Sequence, residues 1–206
     1  NDTVTASGVN EMAYQQSPDS ILWCVRDDGV LAGLTYQRAE QVTAWHRHIL
    51  GGAFGNGSAV VESVASISGA INEDELWVIV KRTINGATKR YVECFADFDF
   101  DETTSTDFRF LDSHLTYDGS ATTTLSGLSH LEGQSVSILA DGSAHTNKTV
   151  SSGAITLDRS VTKAVVGLSY DSVLQTMRIE GGAAEGTSQG KTKRISKVVL
   201  RLFETV

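Results

Sequence analysis

The stretch TAWHRH, Thr43 to His48, sets two histidines one residue apart beside a tryptophan. In a β-strand alternate side chains share a face, so His46 and His48 point one way while Trp45 and Arg47 point the other. Two imidazoles on one face can begin a metal site or an acid–base pair. A metal centre, however, needs a third ligand and neighbours that orient the first two. The chain has no HExxH and no matching Asp/His motif, so no metal is expected. The expectation is a half-exposed histidine pair on the wetter face of a strand, with Trp45 packed between sheets.

Other chemistry-bearing residues lead to equally plain expectations. Asp97, Asp99, Asp101 and Glu102 are dense enough to suggest calcium, yet D-F-D-F-D-E lacks the sixth-position glycine and the distal bidentate glutamate. They read as solvated linker acids, and no cleft can be placed beside them for paired-carboxylate glycoside hydrolysis. Ser, His and Asp are all present without a GxSxG elbow. The glycine-rich GGAFGNG, Gly51 to Gly57, lacks the Lys-Ser/Thr of a phosphate loop. No catalytic, cofactor-binding or metal-binding residue is assigned, no cofactor is expected, and the chain is not expected to be an enzyme. One segment, TSQGKTKRI, can be read as a polar hairpin tip or as a contact with a phosphate or an acidic partner. Its basic residues Lys191, Lys193 and Arg194 are the candidate partner or DNA contacts.

Composition bounds the rest. The chain has 206 residues, enough for one large domain or two small ones, with 40% hydrophobic and 20% charged residues. Its formal net charge is −8, which argues against tight binding of nucleic acid or an anionic membrane. Cys24 and Cys94 each sit in an apolar run, and both are expected to be buried thiols rather than a disulfide or zinc ligands. No run of apolar residues is long enough to span a membrane. The polar start NDTVTASGVNE without Met suggests a piece of a longer chain.

The elements that must carry these residues repeat with a period of two. ILWCV, VLAGLTY, VTAWHRHIL, VVESVASI, LWVIVKRTI and KRYVECF, between Ile21 and Phe95, are β-branched and aromatic runs of strand length. Asn85-Gly86 between two of them predicts a hairpin with a type I′ turn. Leu22-Trp23-Cys24-Val25 is echoed at Leu76-Trp77-Val78-Ile79, each followed by a strand carrying a tyrosine, Tyr36 or Tyr91. Such an echo fits antiparallel units of roughly 40 to 50 residues, the spacing of propeller blades. Beyond the acidic linker the chain becomes rich in Thr, Ser, Gly and Val. Strands are expected at 113–117, 121–125, 135–140, 145–150, 154–157 and 164–168, with turns at Asp118-Gly119, Glu132-Gly133, Asp141-Gly142 and Ser152-Gly153. Short strands at roughly ten-residue spacing suggest a small β-barrel. After the break EGGAAEGTSQG, the run KTKRISKVVLRLFETV reads as one more strand.

Taken in order, WCVRDDGVLAGLTYQRAEQVTAWHRH, VVESVASI, DELWVIVKRTINGATKRYVE, LTYDG, LSGLSHLEGQSVSILADG and GTSQGKTKRI resemble a family of bacteriophage tail proteins. These are the nozzle or hub proteins of short-tailed phages, some described as stabilising packaged DNA. The resemblance implies an all-β chain: the last blades of a β-propeller-like platform over residues 1–105, a small inserted β-barrel over 106–180, and a loop and strand returning to the platform over 181–206. That barrel is similar to a small β-domain of ubiquitin-activating enzymes in fold alone. The implied role is structural. Six copies form a ring at the distal tail of the virion through which DNA passes transiently, with tail adaptor and tail fibre or spike proteins attached. The ring would be assembled in the bacterial cytoplasm, with no membrane segment. A receptor- or carbohydrate-binding tail module is the alternative, with exposed aromatics such as Phe54 meeting the ligand, and a cell-wall hydrolase ranks third.

Overall fold

The computed structural model describes residues 4–69, 73–96, 105–175, 190, 192 and 194–200. Strand predominates among the described residues, with helix confined to short turns at Ser105–Asp107 and Ser129–Leu131, so the fold is all-β, as period-two patterning demands. The chain divides into two units, Asn1–Tyr170 and Asp171–Val206.

In the first unit, β1 (Val9–Gln15), β2 (Ile21–Arg26), β3 (Leu31–Gln37) and β4 (Val42–His48) form an antiparallel meander. The glycine-rich stretch supplies a two-stranded ladder, β5 (Ala53–Phe54) with β6 (Gly57–Ser58). A second meander follows: β7 (Val60–Ser68), β8 (Asp74–Ile84) and β9 (Ala87–Cys94). Asn85 and Gly86 both adopt positive φ, 47° and 72°, between Ile84 and its partner Ala87, as the type I′ hairpin requires. The inner faces of the two meanders pack on each other. Trp23, Val25 and Leu31 meet Val61, Val64, Leu76, Val78 and Val80, with Leu50 among them.

A third sheet holds a separate core. It is built from β10 (Asp112–Ser126), β11 (Ser135–Ala140), β12 (Ser143–Thr149) and β13 (Ala154–Leu168) in the order β10-β13-β11-β12. Leu125, Leu128, Leu131, Val136, Val161 and Val166 are among its buried residues. Among the described residues none of the sheets closes on itself. Across the gap between β12 and the first half of β13, side chains substitute for a backbone ladder. Thr146 and Lys148 donate to the Asp158 carboxylate at 2.9 and 2.6 Å, and the Asp158 N–H donates to His145 Nε2.

Three differences from expectation have physical causes. β1 precedes the first strand expected from the sequence; its contiguous Met12, Ala13 and Tyr14 do not alternate with polar residues, because its apolar residues serve both faces of a sheet. The expected break at Asp118-Gly119 lies inside β10, where pairing with β13 slips between Asp118 and Thr122, so this Asp-Gly marks a bulge and not a chain reversal. β13 is likewise continuous through its expected gap. Asp141 accepts from the Thr162 and Lys163 N–H groups and the Thr162 hydroxyl, which ties the turn between β11 and β12 to the irregular stretch of β13.

The tryptophan echo is one of sequence and not of facing. Trp23 is 5% exposed in the core. In β8 the inward phase runs Leu76, Val78 and Val80, which leaves Trp77 on the opposite face. A one-residue offset turns every side chain of a strand over. The cysteines also part ways: Cys24 is a buried free thiol, whereas Cys94, on the outward phase of edge strand β9, is exposed.

In the second unit, residues 194–200 lie outside every sheet, and Ile195, Val198, Val199 and Leu200 are exposed. The strand expected there is absent over those residues, because β-branched content favours a strand only where a partner supplies packing.

The facing assignment makes a contrast measurable by denaturant unfolding. Trp23→Ala should cost about 3–5 kcal/mol, as for emptying a core site, and Trp77→Ala no more than about 2 kcal/mol.

Candidate functional site

Two clusters in the first unit bring together side chains capable of chemistry. One is the histidine pair. Trp45 pairs with Leu34 and His46 with Gly33, which pairs in turn with Trp23, so the histidines and not Trp45 share the inward face with Trp23. The expected assignment is therefore reversed. Alternation states which residues share a face, and the buried neighbours decide which face turns inward. Trp23 lies 5.5 Å from His46 and 5.1 Å from His48 between ring centroids, and Phe95 closes on Trp23 and His48 at 5.8 and 6.0 Å. Gly33 is glycine because a Cβ there would collide with the His46 ring.

Within the cluster His46 Nδ1 and His48 Nε2 are 2.8 Å apart, and His46 Nε2 meets the Thr35 hydroxyl at 3.1 Å. Burial lowers the pKa of His46. For His48, burial and then the charge of His46 lower it from 6.5 to about 4. Both rings are thus neutral at pH 7 and share one proton across their short contact. Among the described residues no group of three His, Cys, Asp or Glu could hold a metal ion.

The other cluster sits where the third sheet meets the second. Arg82 follows Leu76, Val78 and Val80 in the inward phase of β8 and is fully buried, 0% exposed. Its guanidinium donates to both Glu93 oxygens, at 2.5 and 3.1 Å, and to the Gly51 carbonyl at 2.8 Å. The Gly51 N–H donates to Asp112 Oδ2 at 2.6 Å. Burial pushes the Asp112 carboxyl up, while the Gly51 N–H and the Arg82 charge pull it down, and burial wins. Around this centre Tyr91 donates to the His130 carbonyl, His130 Nε2 meets the Ser113 carbonyl, and Gln134 donates to the Thr83 carbonyl. The β8–β9 hairpin thereby grips the third sheet through polar contacts, and the two apolar cores stay distinct. Arg82 escaped the sequence reading because it sits between Lys81 and Thr83 in an apparently solvated stretch. The strict alternation of β8 was the signal that places it inside.

The remaining candidates separate. Arg194 is exposed, while Lys191 and Lys193 lie outside the described residues, as do Asp97, Asp99, Asp101 and Glu102. Phe54 is half-buried with the Lys81 ammonium 4.5 Å above its ring; it is not the open aromatic expected for a sugar contact. Lys81 also joins Arg90 on Glu62. Hydrogen bonds from Arg90 and Lys81 hold that carboxyl at about 2.

No protein-family model matches the chain, and no curated protein matches it. Chemically, the histidine cluster can hold and exchange a proton, and the arginine centre can fix two sheets in register.

Two outcomes test these assignments. Arg82→Ala should destabilise by about 3–5 kcal/mol, because it leaves Glu93 unpaired in a mostly buried place. Arg82→Met combined with Glu93→Leu should lie closer to the wild type than either single change in chemical unfolding. The second outcome concerns pH. His48 is neutral in the fold down to about pH 4, whereas the unfolded chain takes its proton near 6.5, so the contribution of His48 is full above 6.5 and is lost as pH falls to 4. The loss is on the order of 3 kcal/mol, and His48→Gln should flatten the stability–pH slope over that window relative to the wild type.

Proposed function

We propose that the chain is a structural component of a bacteriophage tail, part of a nozzle or hub ring, and not an enzyme. In this assignment residues 1–105 are the last blades of a β-propeller-like platform. Residues 106–180 are a small barrel whose open seam is bridged by Asp158.

The observation that carries the proposal is that both meanders bear clusters of large apolar residues on both faces. A sheet with water on one side alternates apolar and polar residues. Here the inner faces are already used on each other, and still Met12, Tyr14, Leu22, Leu34, Tyr36 and Trp45 share the outer face of the first meander by cross-strand pairing. On the second meander Ile67, Trp77, Ile79, Val92 and Cys94 do the same. Met12 and Val92 are 63% and 68% exposed. Sheets stacked face to face in a propeller need apolar residues on both sides, and exposed apolar area of this extent marks surfaces that other protein covers. Of the segments that carry the phage resemblance, those between Trp23 and Glu93 fall on β2, β3, β4, β7, β8 and β9, and LTYDG and LSGLSHLEGQSVSILADG fall on β10 and β11.

In this role six copies close a head-to-tail ring, with tail adaptor and fibre or spike proteins as partners. The net charge of −8 suits a conduit along which DNA slides without being held. Lys191, Lys193 and Arg194 remain the proposed partner contacts, and the virion is the proposed location. Among the described residues no helix is long and apolar enough to cross a membrane.

A second reading has its own observation. Tyr14, Tyr36 and Trp45 lie on one outer face, as in aromatic platforms that receive sugars, and this moves the glycan test away from Phe54.

Native mass spectrometry and electron microscopy of the protein in its virion-derived or full-length form test the assignment. A closed ring near six copies is the expected result. A monomer or trimer that binds a glycan array, and loses binding on Tyr36→Ala and Trp45→Ala, would replace the nozzle by the receptor-binding reading.

A further inference from the structure

We propose that the His46–His48 pair is an acid-operated latch, closed at neutral pH, that controls how firmly the β10–β13 sheet is held at the Arg82 junction.

The pair can hold its contact in only some protonation states. At 2.8 Å, His46 Nδ1 and His48 Nε2 share a single proton. When both rings are protonated, N–H faces N–H and the rings must part. Among the described residues, the side chains in ring or hydrogen-bond contact with the pair are uncharged. β2 contributes Trp23, β3 contributes Gly33 and Thr35, and Phe95 follows β9. On β4 itself, Arg47 belongs to the opposite phase of the strand and is exposed. Among the described residues neither imidazole has an acidic partner that would compensate a second positive charge, and the one charge acting on His48 is that of His46.

The latch is joined to the junction by the chain itself. Beyond the end of β4 at His48 the chain continues through Ile49 and the buried Leu50 to Gly51. Gly51 supplies the carbonyl that Arg82 binds and the N–H that Asp112 binds. β9 carries Glu93, which holds the Arg82 fork, and leads two residues on to Phe95, which packs on His48. The segments that bear His48 and Phe95 therefore also bear Gly51 and Glu93, the two fixed points of the junction. Parting of the rings displaces the end of β4 and Phe95 together, and slackens Gly51 and Glu93 with them. Asp112 is the other titratable group at Gly51. It takes up a proton in acid by itself, so the test must separate it from the histidines.

The experiment uses the full chain carrying Trp45→Phe and Trp77→Phe, so that Trp23 is the single tryptophan. Trp23 fluorescence and the protection of the Gly51 amide from hydrogen exchange are followed from pH 7 to pH 3.5. The expected result is quenching of Trp23 by half or more as the imidazoles charge, with a tenfold or larger fall in Gly51 protection over the same interval. Val78 and Val166, in the two cores, lose no more protection than the fall in global stability accounts for, and Gly51 loses more than they do. His46→Gln with His48→Gln should abolish both the Trp23 quenching and the excess loss at Gly51, and Asp112→Asn should leave both in place. The proposal is overturned if Gly51 protection stays flat through the Trp23 transition, if Asp112→Asn alone removes the effect, or if Gly51 loses no more protection than Val78 and Val166. Should the double histidine variant fail to fold, the imidazole resonances of the otherwise unchanged chain decide. Coupled titration well below 6.5 supports the latch, and independent titration of the two rings near 6.5 ends it.

Discussion

The buried guanidinium of Arg82 is the interaction on which the arrangement of the first unit depends. A charge without access to water is tolerated only where its donors are met by acceptors, and here they are supplied from two directions: Glu93 on the neighbouring strand and the Gly51 carbonyl before β5. Because Gly51 also binds Asp112 at the start of β10, satisfying one arginine fixes the second meander, the glycine-rich ladder and the third sheet in one register. An apolar side chain at this position could fill the space, but it would give Gly51 no reason to sit where it does. The junction is specified by hydrogen-bond direction, and the two cores on either side are left to hydrophobic packing, which has none.

That division of labour continues outward. Within each core the contacts are apolar and alternating, whereas the places where the chain must turn, bulge or meet another sheet are handled by carboxylates that accept several N–H groups. Asp141 does this for β13, Glu132 for the Ser152-Gly153 turn, and Asp74 for Gln16 and Ser17. An excess of acidic over basic residues thus has local structural employment. The charge of the chain is not solely a property of its surface.

Most of the strands could be read directly from the amino acids, since β-branched runs of five to ten residues flanked by Gly and Asn admit few alternatives. What the pattern could not supply was direction and continuity. For His46 and His48 alternation was right and the side was wrong, because the sign of a face is settled by a distant partner, Trp23. The Asp118-Gly119 pair has the chemistry of a reversal but lies where β13 continues to pair on both sides, so a long-range ladder overrode a local turn preference. β1 was hidden by serving two faces at once. Arg82 was legible in principle: five inward positions of β8 alternate without fault, and the charge on the fourth is the anomaly that marks a site.

The third sheet begins and ends at neighbouring positions, for Asp112 pairs with Leu168. Both ends also abut the same residue, since a side chain on Gly51 would strike Leu168 and Ser169 while its N–H is held by Asp112. A domain whose entry and exit strands leave side by side can be lost, exchanged or enlarged without redirecting the chain that carries it. Where the chain enters and leaves the sheet, both ends meet at one glycine.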